Sequence, residues 1–164
     1  MNIKRIGIIL IVLLNIGCDQ ISKGIVRKKI ASSEYIQVIN DNFVLTNVEN
    51  TGAMLGVGQN LPQPLKILLL QISPILILMF LTFNILKKRN LNKWLTIAFA
   101  FVIGGGVGNL IDRVAYGSVT DFMHISLGPI KTGIFNMADV SVTLGGIFIL
   151  LFSFRRKKTV ISEQ

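Results

Sequence analysis

Apolar residues in this chain gather into four long runs, with polar residues crowded at their ends. The first run extends from about residue 4 to 21. The second is "LKILLLQISPILILMFLTFNIL", residues 65–86. The third is "WLTIAFAFVIGGGVGNLIDRV", residues 94–114, and the fourth is "IFNMADVSVTLGGIFILLFSF", residues 134–154. A helix crosses a bilayer with roughly 20 mainly apolar residues, so all four are candidate spans. The second has no charge after Lys66. Pro74 within it predicts a kink, which membrane helices tolerate.

The stretch between the first two runs follows a different pattern. "EYIQVI" and "NFVLTNVEN" are rich in β-branched and aromatic residues and flank the turn-like "NDN". They predict a strand pair within a β region at about residues 30–60. "NTGAMLGVGQNLPQP" then reads as a Gly- and Pro-rich loop entering the second helix, with residues 50–58 placed as a lid or clamp. The chain shows no internal repeat or linker, so residues 1–164 form a single integral-membrane domain.

Composition fits a lipid environment. Of 164 residues, 51% are hydrophobic and 15% charged, with a mean hydropathy of +0.64. Soluble domains carry about 25% charged residues. The net charge of +9 comes from basic clusters flanking the spans. Lys4 and Arg5, then Lys87, Lys88, Arg89 and Lys93, then Arg155, Arg156, Lys157 and Lys158 share one side if there are four spans. By the excess of basic residues on cytoplasmic flanks, that side is the cytoplasm, with both termini. Lys23, Arg27, Lys28 and Lys29 fall on the opposite side and read as contacts to anionic headgroups. Topology and lipid thus explain the charge, and nucleic acid is not an expected partner.

"NIGCDQ" after the first run resembles a lipoprotein cleavage site. Asn15, three residues before Cys18, spoils that pattern, so the segment is expected to stay as the first membrane helix. A lone cysteine forms no internal disulfide, and Cys18 is expected to be buried near the helix end.

This orientation brings Asp19, Asn109, Asp112, Arg113, Asn136 and Asp139 to the outer ends of the helices. Ionisable groups at membrane depth are functional candidates. Asn109 and Arg113 share one helix face, as do Asn136 and Asp139. Gly104 and Gly108 have the spacing that lets another helix approach closely. Asp112 lies on a different face from Arg113 and is expected to pair with a loop base or to cap local structure.

Several chemistries lack their residues. There is one His and no H-E-x-x-H pattern, no nucleophile elbow and no phosphate-binding loop. His124 reads as an interfacial loop residue. Carboxylates remain. Asp121, just beyond the third helix, and Asp139, at the start of the fourth, are separated by a segment containing Gly128-Pro129 and Gly133, which can turn the chain back. Two desolvated carboxylates at close range hold one proton between them, as in an aspartyl hydrolase. A small proton-coupled transporter would use the same groups.

The motifs "DQISK" (19–23), "NTGA" (50–53), "GGGVGNLIDR" (104–113), "VTDF" (119–122) and "FNMADVSVTLG" (135–145) occur in an order that resembles the lipoprotein signal peptidases, or signal peptidase II, across nearly the whole chain. The resemblance implies a mainly α membrane fold, with four transmembrane helices and a small extracytoplasmic β-sheet cradle. It implies an aspartic endopeptidase of the bacterial cytoplasmic (inner) membrane, a monomer with its active site near the outer leaflet. Asp121 and Asp139 would be catalytic. Asp19, Asn50, Gly52, Asn109, Arg113, Asn136 and Ala138 would bind substrate or support the dyad. The implied substrate is a diacylglyceryl-modified prolipoprotein, cut before its modified Cys among the membrane lipids. No metal or other cofactor is implied. Met54, Leu55, Thr120 and His124 depart from the usual pattern, which bears on loop contacts and substrate preference.

Overall fold

The computed structural model describes the backbone of residues 3–88 and 92–161, and the side chains of residues 5–88 and 92–153. Arg89 and the side chains of Lys4, Arg155, Arg156, Lys157 and Lys158, used above for orientation, lie outside the described residues. Among the described residues, four helical rods carry one antiparallel sheet. The rods are α1 (Ile3–Lys29), α2 (Gln63–Lys87), α3 (Lys93–Tyr116) and α4 (Met137–Ile161). The first three are long and apolar enough to cross a membrane, and α4 has a shorter apolar part, Met137–Ser153. Many large apolar side chains on the rods, among them Leu10, Leu14, Phe80 and Phe83, point outward, as lipid-facing residues do.

Local chemistry accounts for the helix boundaries. In α2, residues Leu68–Ile72 form a π turn directly before Pro74. Proline lacks an N–H and its ring crowds the carbonyl four residues back; widening the turn relieves both. Asn92 caps α3 by accepting from Trp94 N at 2.9 Å, and Gly117, at φ 75°, ends it by donating to Arg113 O. The fourth helix starts at Met137 and not at 134. Asn136 Oδ1 accepts from Asp139 N at 3.0 Å, while Asn136 N donates to Asp139 Oδ2 at 3.1 Å. This reciprocal capping box fixes the start of α4.

The first helix runs to Lys29, eight residues beyond the expected end. Asp19, Lys23 and Arg27 recur every fourth residue and so share one face. That face is turned into the protein, so the charges do not end the helix. Lys23 is 0% exposed and bonds Asp19 at 2.8 Å, and Arg27 lies 2.7 Å from Asp112. The headgroup assignment is therefore overturned for these two bases. Asp112 does pair with bases, but both come from α1. Cys18 is exposed on the outer face of α1, not buried, because the inward face there belongs to Asn15 and Asp19.

The expected strands form as β1 (Tyr35–Ile39) and β2 (Phe43–Asn50). The sheet also takes β3 (Val119–Leu127) and β4 (Ile130–Lys131), in the order β1-β2-β3-β4. The β region thus extends well past residue 60, and His124 lies in a strand opposite Val44, not in a loop. Val26, Ile30 and Phe122 form a small core joining the end of α1 to the sheet. A second core between the rods centres on Leu78, Ile85 and Ile103.

Glycines let α3 sit close to its neighbours. A Cβ on Gly104 would lie 2.7 Å from Asn15 Cβ, and one on Gly108 would lie 2.6 Å from Asp19 Oδ2. Gly108→Ala should therefore lower stability by about 1–3 kcal/mol, as overpacking of tight contacts does. Gly17 has nothing within 4 Å of the same position, so Gly17→Ala should be neutral or stabilising. Thermal unfolding of both variants in detergent checks the contrast.

Candidate active site

Backbone pairing brings Asp121 to the start of α4. Phe135, directly before the helix cap, is bonded to β3: Phe122 N and Met123 N donate to Phe135 O at 3.0 and 2.8 Å, and Phe135 N donates to Met123 O at 2.9 Å. Residues 128–134 thus return the chain so that Asn136 meets the strand at Asp121. On the other side of β3, Val48 pairs with Asp121 and Asn50 with Val119, which sets Asn50 beside the same carboxylate.

Amides hold all four carboxylate oxygens. Asp121 Oδ1 accepts from Asn136 Nδ2 at 2.6 Å, and Oδ2 from Asn50 Nδ2 at 2.9 Å. Asp139 Oδ1 accepts from Asn109 Nδ2 at 2.8 Å, and Oδ2 from the Asn136 backbone. Asn136 also donates to Asn109 Oδ1 at 3.1 Å, so one amide ties both acids together. Burial pushes the Asp121 carboxyl up to about 6, helped by the charge of Asp139 and opposed by the donors from Asn50 and Asn136.

Both acids border a cavity of about 290 Å³, together with Asn109, Arg113, Asn50, Val140 and Thr143. Met54, Leu55 and Gly133 form part of its wall. Leu55 takes a left-handed conformation, φ 58°, inside the short helical turn Met54–Gly56. Gly52 lets this loop fold on itself: a Cβ there would lie 2.7 Å from the Gly56 and Val57 carbonyl oxygens. Its own carbonyl accepts from Arg113 at 3.2 Å. Arg113 Nε is buried without a partner among the described residues.

Asp19 and Ala138 lie behind this cavity. Asp19 Oδ1 accepts from Ala138 N at 2.9 Å, a carboxylate at the positive end of α4. Behind them lies a polar cluster that the sequence reading missed. Lys23 Nζ bonds Asp19 Oδ2 and Asn109 Oδ1, each at 2.8 Å. Gln20 bridges Asp19, Asp112 and Gly108 O, and Arg27 Nε donates to Thr120 Oγ1 at 2.7 Å. Thr120 in turn donates to Glu49 at 2.8 Å, so this departure from the family pattern makes a buried link behind Asp121. The four-residue recurrence of Asp19, Lys23 and Arg27 was the available sign of the cluster.

The family described as Signal peptidase (SPase) II matches residues 11–155 of this sequence. The chain belongs to the signal peptidase II family. Lipoprotein signal peptidases of Halothermothrix orenii and Borrelia hermsii are 34% and 35% identical to it. These matches span 91% and 97% of this chain, and 96% and 98% of those relatives. A bacterial membrane enzyme solved by the in meso method at 2.3 Å has a similar fold, with a TM-score of 0.84 and 29% identity over 93% of this chain and 90% of that one. A second, solved at 1.9 Å, gives a TM-score of 0.79 and 30% identity over 88% and 90%. As a signal peptidase II family member the chain is a membrane peptidase with a mainly helical fold and a small sheet. The transporter reading is not favoured.

Proposed function

We propose that this peptidase hydrolyses the bond before the diacylglyceryl-modified Cys of a prolipoprotein, with Asp121 and Asp139 as the catalytic pair. The observation that carries the reading is the pair itself: two carboxyls lining one cavity, each of their four oxygens accepting from an amide N–H. Asp121, pushed up to about 6, holds the shared proton, and Asp139 is the base. Water attacks the scissile carbonyl carbon, its proton passes to Asp139, and Asp121 protonates the carbonyl oxygen. The resulting diol collapses as its hydroxyl proton returns to Asp121. Asp139 gives its proton to the amine nitrogen, and the C–N bond breaks. One product ends in a carboxyl group, the other begins with the modified Cys, and the pair again shares one proton.

The unpartnered Nε of Arg113 suits a substrate carbonyl. The apolar lining contributed by Met54 and Leu55 suits a lipid-bearing chain. Acyl chains bury about 0.8 kcal/mol per methylene in lipid, so the substrate enters from the bilayer. The termini lie in the cytoplasm and the site near the outer leaflet. Pairing of Lys23 and Arg27 with Asp19 and Asp112 supports this, because it neutralises two of the four bases that opposed it. The first helix is retained, since Asn15 accepts from Ser141 of α4 at 2.6 Å and Asp19 holds the α4 terminus. The enzyme acts as a monomer among membrane lipids, and its partner is the precursor.

Purified enzyme in detergent, without added metal, should cut a diacylglyceryl-modified precursor. The unmodified precursor should react about 100-fold more slowly, because remote binding energy is spent on the reacting centre. The rate should follow a bell-shaped pH profile with two carboxylate-type limbs. Equal cleavage of both precursors would remove the lipid from the recognition, and a flat profile from about pH 4 to 9 would remove the shared proton.

A further inference from the structure

Among the described residues Lys23 is the one cation at this site that is fully buried, and it does not border the cavity. Its ammonium group lies 2.8 Å from Asp19 Oδ2, 3.3 Å from Asp112 Oδ2 and 2.8 Å from Asn109 Oδ1. The two carboxylates account for a structural pair. The third contact has a further consequence. An ammonium only donates, so the Asn109 amide must turn its oxygen to Lys23. Its NH2 group then faces Asp139 Oδ1. Asn136, whose own oxygen is held by Asp139 N, donates to the same Asn109 oxygen and also to Asp121, so the Asn109 amide held by Lys23 touches the contacts of both acids.

We propose that Lys23 is a positioning residue for the reaction, fixing the Asn109 amide so that an N–H, and not a carbonyl oxygen, meets Asp139. This rests on the reading of Asp121 and Asp139 as the catalytic pair. Without Lys23 the Asn109 oxygen loses the closer of its two donors, and the Asn136 amide alone, at 3.1 Å, is left to hold its direction. A flipped Asn109 would present its oxygen to Asp139 Oδ1, setting two acceptors against each other. Asp121 of the sheet and Arg113 of α3 act on Asp139 through their charge, and the cluster behind Asn109 adds Glu49 of the sheet, Asp112 of α3, and Asp19, Lys23 and Arg27 of α1. None of the others bonds Asn109.

The test compares wild type, Lys23→Met, Asp19→Asn, and the charge-balanced pair Asp19→Asn with Lys23→Met. Asparagine at position 19 still accepts from Ala138 N, so the balanced variant keeps the α4 contact. Relative to Asp19→Asn, it should lose kcat by about 100-fold with KM unchanged, as misplacement of a reacting group does. Against wild type, whose net charge the balanced variant shares, both limbs of its pH profile should move up by about one unit, because a donor has been lost from the hydrogen-bonded wall of the pair. In an Asn109→Ala background, the charge-balanced pair should move the limbs no further. A purely structural lysine would change thermal stability and leave the limbs in place. The inference is overturned if the balanced variant keeps its limbs and its kcat within about twofold. It is also overturned if the shift persists without Asn109, or if the balanced variant cannot fold. These outcomes are separate from failure of the catalytic pair, which would show as normal cleavage by Asp121→Asn or Asp139→Asn.

Discussion

Asp139→Asn and Asp121→Asn should each lower kcat on a modified precursor by about 10³–10⁴-fold, and the double variant should be hardly worse than either. In the proposed mechanism the two acids share one proton, so loss of either removes the whole exchange and the effects do not add. KM should change little, because asparagine keeps the shape of the wall and substrate contacts lie elsewhere in the cavity. Folding must be checked separately, and pH offers a control. Burial raises the Asp121 carboxyl from 3.8 to about 6 in the folded protein. A raised carboxyl pKa gives stability that is complete below the unfolded value and lost as pH rises through the folded one. Wild type should therefore lose thermal stability between about pH 4 and 6 through this group, and Asp121→Asn should not. The gap between the two melting curves would show the variant intact while its activity is absent. Normal cleavage by either single variant would make the carboxylates structural.

The parts of this fold that could be read from sequence are those where one physical demand dominates. Apolar runs of membrane length gave the rods, because lipid exposure tolerates little else. The β-branched strands β1 and β2 followed for a similar reason. Reading failed where polar residues are buried. In β3, Thr120 and Asp121 are both inside, so the apolar–polar alternation that marks a half-exposed strand is missing. The end of α1 lies beyond the apolar run: "DQISKGIVRK" looks like solvated loop, although Lys23 and Arg27 face Asp112 and Lys23 also meets Asn109. The pairing of Phe135 with β3, which joins the two acids, rests on backbone hydrogen bonds with no side-chain signature. The motifs carried the candidate residues; the arrangement that connects them needed the structure. Asn136 illustrates this. Its sequence position suggested a neighbour for Asp139, but its contacts show a helix cap that also joins Asp121 to Asn109.

Asp112→Leu should cost about 3–5 kcal/mol of stability, as removal of one partner from a buried ion pair does. Asp112 is completely buried, 2.7 Å from Arg27 and 3.3 Å from Lys23. Its carboxylate also accepts from Gln20 at 3.1 Å and from Thr120 N at 3.2 Å. With Asp19 it balances two cations against two anions. Removing Asp112 leaves one buried positive charge in excess and strips a backbone N–H of its acceptor, both costly in a low-dielectric interior. Replacing the charges together should cost much less, because ion pairs gain little over well-packed apolar groups of similar size. Asp112→Leu combined with Arg27→Met should therefore recover part of the loss, although Arg27 also stacks over Tyr116 at 4.2 Å and donates to Thr120. Unfolding in detergent, followed for the single and paired variants, measures the coupling as a double-mutant cycle. A coupling near zero would mean that the cluster is solvated in the folded enzyme. A strong coupling would mean that the floor beneath Asn109 and Asp139 is held by charge pairing, so that residues outside the cavity set the positions of the groups within it.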